Sequence, residues 1–324
     1  MISHIDQFLG PTDFHRIKDW GFDHVRLPVD WFNVFTADIS PRADVLDRLE
    51  RAVTNITASG LNLILDLHRC PGHDFEQALH TEQSFFNTPS LRRDCLRVWA
   101  ILAERFGSKQ GVILELLNEP VAPDADTWNH VKAELAREIR RFAPSSTLLV
   151  GSNLWNHVNE FEHLTPIDDD NVVYSFHYYL PIVFTHQKAP WVPGKAFQQS
   201  YQYPGNYQFE SNNGTLPLEA GIWNKDRMRD VMKYVIRFRE KFGATVACNE
   251  WGVYMGGPDR QSQLAWIKDC LELFTENQIS WTYWNYKNLD FGIISQGEEL
   301  YANHPAYCNS ERTDYELLKL LQNH

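Results

Sequence analysis

Leu116-Leu117-Asn118-Glu119-Pro120 and Ala247-Cys248-Asn249-Glu250-Trp251-Gly252 each close an apolar run, Val112 to Glu119 in the first case and Ala244 to Glu250 in the second. Both runs read as buried strands, and each delivers a glutamate at its C-terminal end. A carboxylate closing a strand costs free energy unless it opens onto solvent, as it does at the mouth of a barrel of parallel strands. Two such carboxylates facing each other across a sugar ring can serve as acid and nucleophile, so the pair points to glycoside chemistry. Either fragment alone is equally a strand leaving the core through a turn, with its Asn capping the next segment. The functional reading gains because the other strand ends are also polar.

Five further β-rich runs surround these two: His24 to Asp30, Leu61 to His68, Thr147 to Asn153, Val172 to Tyr179 and Ile279 to Tyr286. Most are nearly continuous in apolar residues, the pattern of parallel strands covered on both faces. Helical stripes lie between most of them. Phe14, Ile17 and Trp20 precede Gly21, with Thr12 as the expected cap, and Val45, Leu49, Val53 and Ile56 follow Ser40-Pro41 and precede Gly60. Leu91, Cys95, Val98, Leu102 and Phe106 repeat the scheme before Gly107, and Trp128, Val131, Leu135, Ile139 and Phe142 repeat it before Pro144. Val231, Val235, Phe238 and Phe242 then precede Gly243, and Leu264, Ile267, Leu271 and Phe274 form the last stripe. These faces are core packing and carry no chemistry.

Regular alternation of strand and helix predicts an α/β fold with a parallel sheet, and polar strand ends favour a closed barrel over an open doubly wound sheet. No Gly-x-Gly-x-x-Gly follows a strand, so a dinucleotide fold is not supported. The 324 residues are read as one catalytic domain, 1–324, because barrels of this kind reach that length as a single unit. A formal charge of -12 disfavours nucleic acid and anionic membrane surfaces as partners. Aromatics at 13%, with 11 Trp, leave ring surface to stack on sugars. The five cysteines are scattered without a Cys-x-x-Cys pair, which argues against a disulfide framework or a structural zinc site. Met1-Ile2-Ser3-His4 has neither a basic start nor an apolar run, so no leader peptide is read there, and no apolar stretch is long enough to span a bilayer.

One connection departs from the regular spacing. From Leu180 to Trp223 there is no clear periodicity, yet the segment carries Phe184, Trp191, Phe197, Tyr201, Tyr203, Tyr207, Phe209 and Trp223. Long loops are usually functional or disordered, and disorder avoids aromatics, so a substrate-facing flap is expected, with Trp191 and Trp223 as stacking rings.

The strand ends together resemble glycoside hydrolase family 5, the retaining cellulases, mannanases and related β-glucanases, over a stretch running from His4 to the C-terminus. Gly21 to Asp30 looks like the family's second strand, and the resemblance gives Arg26 the task of orienting the nucleophile. Leu65-Asp66-Leu67-His68 resembles strand three, with His68 lining the subsite before the scissile bond. Asn118-Glu119-Pro120 resembles the end of strand four, where the glutamate is the acid/base and Asn118 binds the sugar 2-hydroxyl. His177-Tyr178-Tyr179 is similar to strand six, whose Tyr179 touches the nucleophile; Asn249-Glu250-Trp251-Gly252 is similar to strand seven, with Glu250 as nucleophile. Trp284 falls where strand eight supplies a stacking platform. Taken singly, Arg26 reads as a salt-bridge partner, His68 and His177 as core histidines and Trp284 as packing; their joint occurrence shifts each toward function. Trp31, Trp155, His73 and Cys70 stay open between the two.

The resemblance implies a (β/α)8-type barrel acting on a β-linked oligo- or polysaccharide without metal or organic cofactor. The first choice is a cellulase-like endo-β-1,4-glucanase, supported by Gly21 to Asp30, Leu65 to Gly72 and Phe184-Thr185-His186-Gln187; exo-β-1,3-glucanase is the alternative. Arg26 is expected beside Glu250, and Glu119 is expected to hold its proton through burial and a neighbouring negative charge. Two other classes compete. A metal-dependent barrel hydrolase would use Asp66, His68 and His177 as ligands but lacks His-x-His on a first strand. A non-catalytic carbohydrate-binding barrel would leave both carboxylates without work. The family's barrels begin with a strand that has no counterpart here, because His4-Ile5-Asp6-Gln7-Phe8 resembles the loop after it. Seven strands are therefore expected, with exposed edges that an upstream segment, loops or a homo-oligomer would cover.

Overall fold

The computed structural model describes residues 8–78, 84–208, 220–295 and 304–324. Helix α1 (Pro11–Asp19) leads into β1 (His24–Asp30), and α2 (Ala43–Ala58) into β2 (Asn62–Arg69). The series continues with α3 (Pro89–Phe106), β3 (Val112–Glu115), α4 (Ala125–Phe142), β4 (Thr147–Gly151) and β5 (Val172–Tyr178). A short antiparallel pair, β6 (Gly205–Tyr207) and β7 (Gly221–Trp223), precedes α5 (Lys225–Phe242), β8 (Thr245–Trp251), α6 (Arg260–Glu276), β9 (Ser280–Tyr283) and α7 (Tyr315–Gln322). Among the described residues no helix is long and apolar enough to cross a membrane.

The main sheet has seven strands in the order β1-β2-β3-β4-β5-β8-β9, and the first four pairings are parallel. All seven expected runs became strands of this sheet. Pro28 lies within β1, which stands at one end of the order, where a missing N–H breaks no interior ladder. The residues group into two compact units, Met1–Phe176 with Arg237–Ala247, and His177–Ile236 with Cys248–His324. The first contains β1 to β4, most of β5 and the start of β8; the second contains the ends of β5 and β8 together with β9. The stretch His4 to Gln7 lies outside the described residues.

In the first unit the expected helical stripes are the core. Val53, Ile56, Val98, Leu102, Leu135 and Ile139 are buried against Leu63, Leu65, Leu114 and Leu148 of the sheet. Full burial of each such side chain contributes about 1.5–3 kcal/mol. Two details differ from the periodic reading. On α2, Leu46 is buried while Val45 is only half-buried, because the helix begins at Ala43, later than Ser40-Pro41 suggests, and turns a slightly different face inward. Thr12 is not the cap of α1: Pro11 occupies the first turn and Gly10 precedes it. Gly21 and Gly60 end their helices at φ +94° and +76°, a region in which a side chain would be strained.

The second unit contains the long connection, and here the flap expectation is corrected. Phe184, Phe197, Tyr201, Tyr203, Tyr207 and Trp223 are all buried, Trp223 completely. Single turns at Ile182–Thr185 and Lys195–Gln198 and the β6–β7 pair fold the segment onto its own rings, so it has a small core rather than an open aromatic face. The Tyr203 hydroxyl donates to Asp269 Oδ2 at 2.7 Å, tying this core to α6. Phe209 lies outside the described residues. Trp191 is the exception, at 46% exposed. All five cysteines are free thiols, four of them buried.

Candidate active site

In the first unit, β1, β2 and β3 deliver a charged cluster. Asp66 and Glu115 are register partners on β2 and β3, and both are fully buried. Arg26 of β1 reaches them both. Its Nε donates to Glu115 Oε2 at 2.7 Å and its Nη2 donates to Glu115 Oε1 at 2.9 Å, to Asn118 Oδ1 at 2.8 Å and to Asp66 Oδ2 at 3.0 Å. A planar guanidinium suits this work, since its fork meets a carboxylate with two parallel bonds and still has donors left over. Glu115 gave no sequence signal of its own. It reads as one more residue of an apolar run, and only the depth of β3 makes it the anchor of Arg26.

Strand β3 ends at Glu115, so Glu119 does not close the strand itself; it lies four residues beyond. The chain nevertheless stays aligned with the sheet. Leu116 N–H donates to Leu149 O at 3.0 Å, and Asn118 N–H donates to Leu67 O at 3.1 Å, beside His68. Asn118 is buried, and its Nδ2 has no partner in the protein, which leaves an amide donor available to a hydroxyl. His68 Nδ1 meets Asp66 Oδ2 at 2.8 Å, which fixes its ring.

Glu119 has φ +45° although it precedes a proline, a strained conformation of the kind found where function over-determines the backbone. Its carboxyl is pushed up to about 7. Burial is the largest cause; His68 and Arg26 oppose it, and the negative charges of Asp66 and Glu76 add to it. The expected direction is therefore present. Burial pushes Asp66 up to about 7 as well, with Arg26 pulling the other way.

In the second unit, Glu250 sits near the end of β8 and is buried. The Tyr179 hydroxyl donates to its Oε1 at 3.0 Å, and His177 Nδ1 lies 3.8 Å from the same oxygen. Tyr179 directly follows β5, and its carbonyl is held by the Thr185 hydroxyl at 2.6 Å, so the phenol is fixed from its backbone. Trp284 follows β9, is half-buried, and donates its N–H to Trp251 O at 2.9 Å. The glycine of Asn249-Glu250-Trp251-Gly252 is explained by this approach: a Cβ on Gly252 would come within 2.4 Å of Trp284 O. Trp191 meets Tyr254 edge-on with ring centroids 5.0 Å apart and keeps its other surface exposed. Trp223, the other expected stacking ring, is fully buried with Arg227 over its face and presents no surface to a ligand.

Two residues left open by the sequence acquire partners. His73 Nε2 is 3.0 Å from the main-chain oxygen of Glu119, and Trp155 Nε1 donates to Phe75 O at 3.1 Å.

Residues 6–290 match the model of the cellulase family, glycosyl hydrolase family 5. Endoglucanase C of Acetivibrio thermocellus is 34% identical over 306 residues, covering 91% of this chain and 88% of that protein. Cellodextrinase A of Ruminococcus flavefaciens is 32% identical over 279 residues, 85% of this chain and 78% of its own length. A solved hyperthermophilic endo-β-1,4-glucanase in complex with substrate superimposes with a TM-score of 0.76 at 23% identity, over 98% of this chain and 90% of its own. That likeness shows the fold, an α/β architecture of the (β/α)8-barrel type, here with seven sheet strands among the described residues. The parallel alternating strands and the match across nearly the whole chain lead to one assignment: the chain is a glycoside hydrolase and belongs to glycosyl hydrolase family 5, the cellulase family.

Proposed function

We propose that the enzyme cleaves β-glucan with retention of configuration as a cellulase-like endo-β-1,4-glucanase, with Glu119 as acid/base and Glu250 as nucleophile. The observation that carries this reading is the acidity of Glu119, raised to about 7, which keeps its proton available near neutral pH. In the first step a Glu250 oxygen bonds to the anomeric carbon, the glycosidic C–O bond breaks, and the Glu119 proton passes to the leaving oxygen. In the second step water attacks the anomeric carbon, gives its proton to Glu119, and releases Glu250. The scheme requires neither a metal nor an organic cofactor.

Supporting roles follow from the local geometry. Tyr179 holds Glu250 Oε1 and so leaves Oε2 as the attacking oxygen. The unpartnered Nδ2 of Asn118 is the donor for the sugar 2-hydroxyl, a bond that strengthens as positive charge develops at the ring. Arg26 holds Asn118 Oδ1 and thereby sets the orientation of that amide. His68 and His177 line the sugar site, and Trp284 and Trp191 provide stacking surface. The match to an endoglucanase over 91% of this chain supports internal cleavage of a β-1,4-glucan.

The deciding experiment digests cello-oligosaccharides and β-1,3-gluco-oligosaccharides of defined length and follows product size and anomeric configuration by NMR. Internal cuts in the cello-oligosaccharides with a β-configured first product support the reading. Glucose released from β-1,3 chain ends would make the enzyme an exo-β-1,3-glucanase, an α-configured product would exclude Glu250 as nucleophile, and binding without turnover would leave a carbohydrate-binding barrel.

A further inference from the structure

The turn after β2 contains a histidine that the reaction scheme does not use. Cys70 and His73 form a two-residue antiparallel bridge, with His73 N–H donating to Cys70 O at 2.9 Å and Cys70 N–H donating to His73 O at 3.2 Å. Gly72 at φ +77° makes this turn possible, and a Cβ there would lie 2.8 Å from Leu91 and 2.9 Å from the backbone of Phe85. The His73 ring is buried between Phe85 and Phe86, with centroids 5.8 and 5.6 Å away. Its Nε2 emerges from this apolar seat 3.0 Å from the main-chain oxygen of Glu119.

The residue it touches is the strained one. Glu119 lies in the left-handed region, which costs a non-glycine residue roughly 1–2 kcal/mol, and is followed by a proline that supplies no N–H. The next carbonyl is held as well: Trp155 N–H donates to Pro120 O at 3.2 Å, from a run in which Leu154, Trp155 and Asn156 all have positive φ. Two turns therefore grip consecutive carbonyls. Burial holds His73 at about 4, so the ring is neutral; a carbonyl can only accept, hence Nε2 carries the hydrogen.

We propose that His73 is a positioning residue for the acid/base carboxylate: the bond from its Nε2–H to the Glu119 carbonyl keeps Glu119 in the left-handed conformation that aims its carboxyl at the leaving oxygen. The inference rests on the assignment of Glu119 as acid/base. A histidine that merely fills the core would affect stability alone, whereas a positioning residue affects proton delivery.

The test compares His73→Phe, which keeps a ring but loses the donor, with His73→Gln, whose amide nitrogen reaches about as far as Nε2. Glu119→Ala is measured alongside, and kcat/KM is recorded over aryl β-cellobiosides of graded leaving-group acidity. His73→Phe is expected to lose about 10- to 100-fold with poor leaving groups and under about threefold with the best, with His73→Gln restoring most of the loss. An equal loss across the series, no loss at all, or no recovery in a folded Gln variant overturns the proposal. If His73→Phe does not fold, His73→Met takes its place as the donor-less variant under the same criteria. A steep leaving-group dependence in Glu119→Ala with a flat one in His73→Phe removes only the positioning role. A flat dependence in Glu119→Ala removes the acid/base assignment, and this inference with it.

Discussion

Arg26 and Glu115 meet through two parallel hydrogen bonds, Nε to Oε2 at 2.7 Å and Nη2 to Oε1 at 2.9 Å, with both side chains almost completely out of water. Neither residue could be buried there alone, since an unpaired charge in that position would cost several kcal/mol. The pair is the base on which Asn118 and Asp66 are held. Arg26→Met is expected to destabilise the protein by about 3–5 kcal/mol, because it leaves Glu115 uncompensated, whereas the double variant Arg26→Met/Glu115→Leu should recover part of that loss. Urea midpoints of the two singles and the double decide this, and strict additivity would mean that the pair is not coupled.

Glu119 links acidity to stability with a definite sign. Its folded pKa of about 7 lies above the ordinary carboxylate value, so the native state binds the proton more tightly than the unfolded chain. Stability from this group is complete below the unfolded value near 4.5 and declines as pH rises toward 7. Glu119→Gln should therefore gain on the parent between these limits, by about 1–2 kcal/mol at pH 8 once residual solvent exposure is allowed for. Melting temperatures at pH 4.5 and pH 8 test it, and a difference that does not change with pH would sink the idea. The same proton should give kcat/KM of the parent a basic limb near pH 7.

Lys132 on α4 is buried with a single contact, its Nζ 3.4 Å from Thr165 Oγ1, and burial pulls its pKa down to about 8. Here the sign is opposite. The unfolded chain holds the proton more tightly, so the group penalises the fold below about pH 8, and the penalty fades as pH rises toward 10.5. Lys132→Met should stabilise the protein at pH 7 by about 1–3 kcal/mol, with the gain shrinking at higher pH. A loss of stability at pH 7 would show that the ammonium has a stabilising role.

Trp191 and Trp223 should behave differently despite their shared segment. Trp191→Ala removes an exposed ring and is expected to weaken hydrolysis of long oligosaccharides by about fivefold while sparing a short aryl substrate and leaving the melting temperature nearly unchanged. Trp223→Ala empties a fully buried site and should cost about 3–5 kcal/mol of stability before any specific effect on substrate appears. Equal losses on long and short substrates for Trp191→Ala would assign that ring to packing.

Replacement of Glu250 by Gln should abolish turnover on every substrate, because no leaving group bypasses the nucleophile. Glu119→Ala should keep kcat/KM on activated aryl glycosides, and added azide should yield a β-glycosyl azide with that variant. If azide instead gave the β-product with Glu250→Gln, the two roles would have to be exchanged.

Much of the fold could be read from the sequence because it depends on local periodicity. Continuous apolar runs such as Leu63 to Leu67 can satisfy themselves only as strands covered on both faces, and the stripe of Val98, Leu102 and Phe106 only as a buried helix face. The placement of Asn118, Glu119, Tyr179, Glu250 and Trp284 at strand ends followed from the same patterns. Contacts between side chains far apart in the chain could not be read in this way. That Arg26 binds Glu115, 89 positions away, depends on the register of β1, β2 and β3. That His73 reaches the Glu119 carbonyl depends on a turn closing through Gly72, and a lone histidine after a strand gives no sign of its partner. The aromatic segment from Leu180 to Trp223 shows the same limit from the other side: composition established that its rings would be ordered, but whether they faced a ligand or one another was decided by tertiary packing, because burying Trp223, Tyr207 and Phe197 together removes more apolar surface from water than leaving them open.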